Sequence, residues 1–238
     1  MSRKLILGIS GKKQSGKDTA CAVVPYLYAV HQGLIEPEYD YDDPVVEEVT
    51  SGLVIQWHFA KLLKQMIHDL LDLPTEMLWG TDEQKNALTQ YDWANISPAI
   101  KDAVGIKGIS ADSTGPISAR EIMQFVGTEM FRHNFGDQIW VDAAFRGIQK
   151  LGADVTLIPD TRFPSEVDAI LAKPQGYVMR LLRDPCGKDG HESETALDDF
   201  DWNKTKCFVI DNREMSIPEQ HVATSKVING IFDEVMKP

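Results

Sequence analysis

The sequence predicts an α/β protein with a parallel β-sheet and crossover helices. Short apolar runs alternate with longer stretches of helical periodicity, which is typical of β-strands joined by helices. Nearly every position of these runs is apolar, as expected for strands covered by helices on both faces. The predicted strands are 4–10, 53–59, 154–159, 176–182 and 207–211. The predicted helices are 17–32, 60–72, 118–134, 137–150, 164–172 and 216–236.

Composition limits the class of protein. A chain of 238 residues that is 43% apolar can bury the core of one large domain, which we predict to span 1–238. A net charge of -12 argues against a nucleic-acid-binding protein, which needs a basic face. The three cysteines have neither metal nor disulfide spacing, and no window approaches the roughly 18 apolar residues of a membrane span. We therefore expect a cytoplasmic protein without a membrane or nucleic-acid partner.

The first predicted strand leads directly into GISGKKQSGKDT, positions 8–19. Within it, the segment from Gly11 to Lys17 fits the pattern G-x-x-x-x-G-K between a strand and a helix, which indicates a phosphate-binding loop. In such a loop the backbone N–H groups and the helix N-terminus face phosphate oxygens, and the lysine bridges the outer phosphates. The candidate nucleotide-binding residues are Gly11, Lys13, Gln14, Ser15, Gly16, Lys17, Asp18 and Thr19.

Asp18 stands where such loops usually have a Ser or Thr whose hydroxyl binds Mg²⁺. A carboxylate can also face the ion, directly or through a water, because Mg²⁺ favours oxygen ligands and keeps several waters. Alternatively, Asp18 only complements the dipole of the helix that begins here. Thr19 could cap that helix or contact a phosphate.

Two segments interrupt the predicted sheet, whose core comprises about 4–35, 53–72 and 118–238. The first, 36–48, contains seven acidic residues and two prolines, and we predict a solvated surface loop. The second lies at about 73–117. Its part 86–116 is rich in Gly, Ser, Pro and Asp, and we predict an irregular excursion on the acceptor side.

The following segments supply candidates for binding a second phosphate. Lys64 lies shortly after the strand 53–59. The helix 118–134 begins with the capping box SARE, and its Arg120 and Arg132 could each form a planar fork on a phosphate. Trp140 belongs either to the core or to a pocket wall that lies against a base.

The strand 154–159 is followed by Asp160 at the sheet edge where ligands of α/β proteins gather. Asp160 is placed to hold the waters of Mg²⁺, Arg162 can lean the same way, and Glu166 could orient the Arg162 guanidinium. Alternatively, Asp160 caps the next helix, and Arg162 and Glu166 form a local ion pair. Residues 183–200 combine Gly, Pro and charges, which predicts a mobile lid with Arg183 or Lys188 as its cation.

The motifs GKKQSGKDT, REIMQFVGTEMFR…GDQIWV, DTRFPSEV and HESETAL, in this order, resemble bacteriophage deoxynucleoside monophosphate kinases. This resemblance implies a P-loop nucleoside monophosphate kinase fold with a five-stranded parallel sheet. It also implies a phosphotransferase that uses ATP and Mg²⁺ to make deoxynucleoside diphosphates for DNA synthesis, in the host cytoplasm if phage-encoded. The acceptor site implied by the resemblance comprises Arg120, Trp140, Asp160, Arg162 and Glu166.

We therefore expect Lys17 and the loop to hold ATP, with Mg²⁺ near Asp18 and Asp160. Arg120 and Arg162, with Arg132, would grip the phosphate of a deoxynucleoside monophosphate (dNMP). A homodimer is one expectation, because related enzymes are commonly dimers. Phosphomevalonate kinases share the Lys-Asp loop, the Asp-Thr-Arg strand end and the Glu-Ser-Glu segment, but QFVGTEMFR favours the nucleotide kinases. An ATP-hydrolysing switch would not need the additional arginines.

Overall fold

The computed structural model describes residues 4–103, 109–187 and 192–236. Contacts divide the chain into two compact units. The sheet unit comprises Met1–His58 and Arg146–Pro238, and the helical unit comprises Phe59–Phe145. No helix within the described part of the chain is both long and apolar enough to span a membrane.

The secondary structure follows the predicted alternation closely. The strands are β1 (Leu5–Ser10), β2 (Val54–Gln56), β3 (Leu88–Asp92), β4 (Pro116–Ser118), β5 (Val155–Thr161), β6 (Gly176–Leu181) and β7 (Cys207–Ile210). The helices are α1 (Lys17–Ala22), α2 (Val24–His31), α3 (Pro44–Thr50), α4 (Lys61–Leu71), α5 (Thr75–Trp79), α6 (Asp82–Lys85), α7 (Pro98–Ala103), α8 (Ala119–Gln124), α9 (His133–Phe135), α10 (Ile139–Gln149), α11 (Pro164–Leu171), α12 (Glu192–Thr195) and α13 (Ile217–Val235). A 3₁₀ turn covers Trp93–Asn95, and a π-helix covers Phe125–Arg132.

A five-stranded parallel sheet forms the centre of the sheet unit, as predicted. Its strand order is β2-β5-β1-β6-β7. The central strands β1 and β6 are buried at every position, which explains their apolar sequences. β2 is shorter than the predicted strand 53–59, and β5 continues beyond the predicted end at 159. An α/β fold with this sheet is consistent with a P-loop kinase.

Helices cover both faces of the sheet. Leu5, Leu7 and Ile9 of β1 belong to a core that includes residues of α1, α2 and α13. Fully burying such side chains contributes about 1.5–3 kcal/mol each. The other face packs against α11 so closely that a Cβ on Gly8 would lie 2.6 Å from Ile170 Cδ1. A larger residue at Gly8 would therefore require the end of the Ile170 side chain to shift.

Two predicted loops contain regular structure. The acidic segment 36–48 is mostly exposed, as predicted, but its end forms α3, which Asp43 caps through its carboxylate and which Val46 anchors in the interior. The described parts of the segment 86–116, which are 86–103 and 109–116, contain β3, α7 and the first residue of β4. β3 and β4 pair in antiparallel orientation, and Trp93, directly after β3, is buried in the core of the helical unit.

The predicted helix 118–134 begins as expected but continues in another form. Ser118 Oγ accepts a hydrogen bond from Glu121 N (3.2 Å), and Glu121 Oε2 accepts one from Ser118 N (2.8 Å), so the predicted capping box is confirmed. After α8 the chain forms the π-helix Phe125–Arg132. The Gly127 carbonyl in this π-helix accepts a hydrogen bond from Trp140 Nε1 at 2.8 Å. This hydrogen bond connects the π-helix to α10, the helix to which Trp140 belongs.

Candidate functional site

The loop between β1 and α1 has the backbone shape of an anion-binding turn. Gln14 and Gly16 adopt left-handed conformations, with φ of 58° and 92°. Left-handed residues within a tight turn direct successive N–H groups into one concavity. A Cβ at Gly11 would lie 2.3 Å from Ser15 Oγ, so a larger residue there would displace the Ser15 side chain. The loop conformation thus depends on the glycines of the motif.

Two amide side chains from the far end of the sequence support the loop. Asn212 Nδ2 donates to Ser15 O, and Gln220 Nε2 donates to Gly16 O, both at 2.7 Å. The two amides also bond to each other, Asn212 Nδ2 to Gln220 Oε1 at 2.8 Å. Ser15 Oγ is buried and has no hydrogen-bond partner within the described structure. An unsatisfied buried hydroxyl is costly, so it marks a place where a ligand oxygen could bind.

Lys17 folds back across the loop. Its Nζ donates to the carbonyl oxygens of Gly11 (2.9 Å) and Lys12 (2.6 Å). Burial, followed by the charge of Arg162, lowers the pKa of Lys17 from 10.5 to about 8. A bound phosphate would offset both causes, because it brings negative charge to the ammonium group.

The charges that act on the Lys17 pKa identify its neighbours. Arg162 and Arg180 lower this pKa, whereas Asp18 and Asp160 raise it. Asp160 lies near the C-terminal end of β5, with Oδ2 3.7 Å from His58 Nδ1. The structure therefore gathers the predicted residues Lys17, Asp18, Asp160 and Arg162 at one place in the sheet unit.

The same acidic residues are the candidates for holding a metal. Residues 4–103, 109–187 and 192–236 contain no group of three or more His, Cys, Asp or Glu side chains that could hold an ion. Mg²⁺ in kinase sites needs only one or two carboxylates, because substrate phosphates and waters supply the other ligands. Asp18 and Asp160 fit that requirement in number and in ligand type.

Glu166 caps α11. Its carboxylate is buried, and Oε2 accepts hydrogen bonds from the backbone N–H groups of Arg162 (2.7 Å) and Phe163 (3.1 Å). Glu166 therefore supplies a cap at the start of α11, while the alternative that Asp160 also caps this helix stays a prediction. The Arg162 guanidinium forms an ion pair with Glu194. Glu166 thus fixes the position of the backbone at Arg162.

Arg180 is a neighbour of the site that the sequence interpretation did not single out. It lies in β6, is only 9% exposed, and donates from Nη1 to Ser10 Oγ at 3.0 Å. Its guanidinium carbon lies 5.3 Å from the centre of the Trp202 ring, and burial lowers its pKa. The sequence did contain a signal for Arg180. It is a charged residue in an otherwise apolar strand that helices cover on both faces, and a buried charge needs specific partners.

Part of the predicted lid contacts the loop. Lys12 Nζ donates to Glu194 O and pairs with Asp198, while Lys13 N donates to Glu194 Oε2 at 3.1 Å. The guanidinium of Arg183 donates to the carbonyl oxygens of Asn212 and Met215, and its role as the lid cation stays a prediction. The alternative lid cation, Lys188, lies outside the described residues.

The remaining predicted residues belong to the helical unit. Arg120 bonds to Asp82 Oδ1 (2.6 Å) and Asn86 Oδ1 (2.7 Å). Buried Arg132 donates to Asp137 O at 3.2 Å. Trp140 is buried against Phe131, and Lys64 Nζ lies 5.9 Å from the centre of the Trp79 ring. The binding roles of Arg120, Arg132, Trp140 and Lys64 remain predictions.

Comparison with known proteins supports a nucleotide kinase. The chain is similar to the deoxynucleoside-5'-monophosphate kinase of Escherichia phage T5, with 23% identity over 174 residues. The alignment covers 68% of this chain and 70% of the phage protein. No protein-family model matches the chain.

Proposed function

We propose that the chain transfers a phosphoryl group from ATP to deoxynucleoside monophosphates and so makes deoxynucleoside diphosphates. The observation that carries this proposal is the cluster around Lys17. A glycine-rich turn, a half-buried lysine, two arginines and two acidic residues come together after a buried parallel strand. The similarity to the phage T5 enzyme supports the same class of reaction.

In the proposed complex, the N–H groups of the loop and Lys17 bind the outer phosphates of ATP. The buried Ser15 hydroxyl, which has no partner in the described structure, fits a phosphate oxygen. Asp18 and Asp160 would hold Mg²⁺, which would supply neutralisation of the phosphate charge. Phosphoryl transfer depends on such positioning and charge stabilisation far more than on covalent participation of the protein.

Arg162 is the proposed contact to the transferred or accepting phosphate in the sheet unit. Arg120 and Arg132, with Lys64 and Trp140, are the proposed acceptor-side residues of the helical unit. Arginine suits this role because its planar guanidinium can make two parallel bonds to a phosphate. No general base is required, because the accepting phosphate is already an anion at neutral pH.

Production of ADP from ATP and Mg²⁺ tests the proposal. The assay is run with each of the four dNMPs, with the matching ribonucleotides, with phosphomevalonate, and without acceptor. We expect rapid ADP production only with one or more dNMPs. Production with phosphomevalonate alone would assign the chain to the other kinase class. Equal production without acceptor would indicate a hydrolysing switch.

Lys17→Ala tests whether the loop is catalytic. We expect this variant to lose turnover, because the charge that bridges the outer phosphates is gone. Its melting temperature should stay near that of the wild type. Lys226→Ala, which removes an exposed lysine of α13, is the matched control and should retain activity. Near-normal turnover of Lys17→Ala would contradict the assignment.

A further inference from the structure

We propose that the Glu194 carboxylate occupies the phosphate-binding groups of the loop in the nucleotide-free chain, so that ATP must displace it. This inference rests on the proposed function. It concerns a built-in competitor that stabilises the empty site and weakens binding of the nucleotide.

The contacts of Glu194 carry the inference. Its side chain is only 11% exposed. One carboxylate oxygen accepts a hydrogen bond from the backbone N–H of Lys13 at 3.1 Å, and the other pairs with the guanidinium of Arg162. One partner is a donor of the glycine-rich loop, and the other is the arginine proposed to contact a phosphate. A side-chain anion therefore uses the donors that the proposed function assigns to a substrate anion.

The neighbouring residues hold Glu194 in this place. Lys12 Nζ donates to the backbone carbonyl of Glu194 and pairs with Asp198. Between these two acidic residues, Leu197 is 4% exposed and anchors the segment in the interior. The buried side chain of Leu197 and the ion pairs of Glu194 and Asp198 thus fix the segment 194–198 at the loop.

Electrostatics gives the direction of the effect. The single N–H of Lys13 cannot bond both a phosphate oxygen and the Glu194 carboxylate without bringing the two anions together, and a phosphate at Arg162 would meet the same carboxylate. Like charges at this distance repel. Part of the interaction energy of ATP is therefore used to release Glu194. Removing the charge of Glu194 while keeping its shape should strengthen ATP binding.

Calorimetric titration of ATP with Mg²⁺, without acceptor, tests this. We expect the Kd of Glu194→Gln to be about five- to tenfold lower than that of the wild type, as for the loss of one partly buried competing charge. Glu194→Asp keeps the charge and should bind within about twofold of the wild type. Asp199→Asn removes an exposed charge nearby and is the matched control, with an unchanged Kd.

The outcomes separate this inference from the proposed function. If Glu194→Gln binds ATP equally or more weakly than the wild type, the inference is wrong while the kinase assignment stands. If no variant binds ATP although each melts cooperatively, the proposed function and the inference both fail. Glu194→Ala, which removes the entire carboxyl group, answers the same question should the glutamine variant not fold.

Discussion

At the scale of single residues, the environment of Lys17 changes the ordinary acid–base chemistry of its amine. Burial and the neighbouring guanidinium of Arg162 lower the pKa of Lys17 to about 8. Below about pH 8 the amine is charged in both the folded and the unfolded state, and this charge lowers the free energy of unfolding. Between about 8 and the ordinary value of 10.5, the folded state releases this proton before the unfolded state does, and the cost is relieved.

The same pKa predicts a pH dependence of ATP binding. We expect the affinity to fall as the pH rises through about 8, because the neutral amine no longer attracts the phosphates. Binding titrations between about pH 6.5 and 9.5 measure it. In Lys17→Arg the guanidinium stays charged over this range, so the fall should be absent. An identical fall in both proteins would assign the dependence to another group.

Arg162→Ala should reduce acceptor-dependent kcat/KM by about 10²–10³-fold, which is typical for loss of one preorganised donor to developing charge. Steady-state kinetics with varied dNMP at saturating ATP measures the effect. Arg146→Ala removes an exposed arginine of α10 and is the control. Unchanged kinetics in Arg162→Ala would remove this residue from the site.

At the scale of elements, prediction succeeded where burial dictates the sequence. β1 and β6 are covered on both faces, so their apolar runs identify them as strands. β3 is short and partly exposed, and its sequence LTQYD resembles a loop. The π-helix Phe125–Arg132 was not predicted, because its apolar positions also fit an ordinary helix. Its form depends on contacts such as the bond from Trp140 to the Gly127 carbonyl, which are set by tertiary structure.

Gly147 in α10 provides a test of packing at this scale. A Cβ at Gly147 would lie 2.3 Å from the buried ring of Trp57. We expect Gly147→Ala to lower the free energy of unfolding by about 1–3 kcal/mol, as is typical of overpacking. Denaturation in urea measures it.

Gly230→Ala in α13 is the matched control. No atom lies within 4 Å of a Cβ built on Gly230, so the change should raise stability by about 0.5–1 kcal/mol through helix propensity. If both variants gain stability, the contact between α10 and Trp57 is looser than the structure indicates.

At the scale of the whole molecule, the candidate site could be predicted only where its residues are close together in the sequence. The loop and the segment from Asp160 to Glu166 are local motifs with a known physical purpose. Glu194 and Gln220 contact the loop, and Arg180 contacts the strand end that precedes it, from positions more than 160 residues away. No spacing in the sequence encodes those contacts. The extent of the helical unit, Phe59–Phe145, also exceeds the predicted excursion 73–117, because flanking helices share its core.

The division into two units predicts that their proposed tasks can be separated. The ring centres of Phe59 and Phe145 lie 6.2 Å apart, so the two ends of the helical unit meet and a short Gly-Ser linker can replace it. We expect the shortened chain to bind ATP, because the proposed ATP-binding residues all belong to the sheet unit. It should not phosphorylate dNMPs, because Arg120 and Arg132 are absent.

Calorimetry and the ADP assay measure the two properties of the shortened chain. A melting curve establishes that it folds. A folded product that does not bind ATP would contradict the assignment of the nucleotide site to the sheet unit.

The bonds from Asn212 and Gln220 to the carbonyls of Ser15 and Gly16 have a consequence for biosynthesis. The ribosome makes the glycine-rich turn about 200 residues before the two amides that support it, because the partners are 197 and 204 positions apart. The nascent polypeptide therefore carries the turn without these two partners while the intervening residues are made. We expect the turn to reach its final geometry only after α13 has emerged from the exit tunnel.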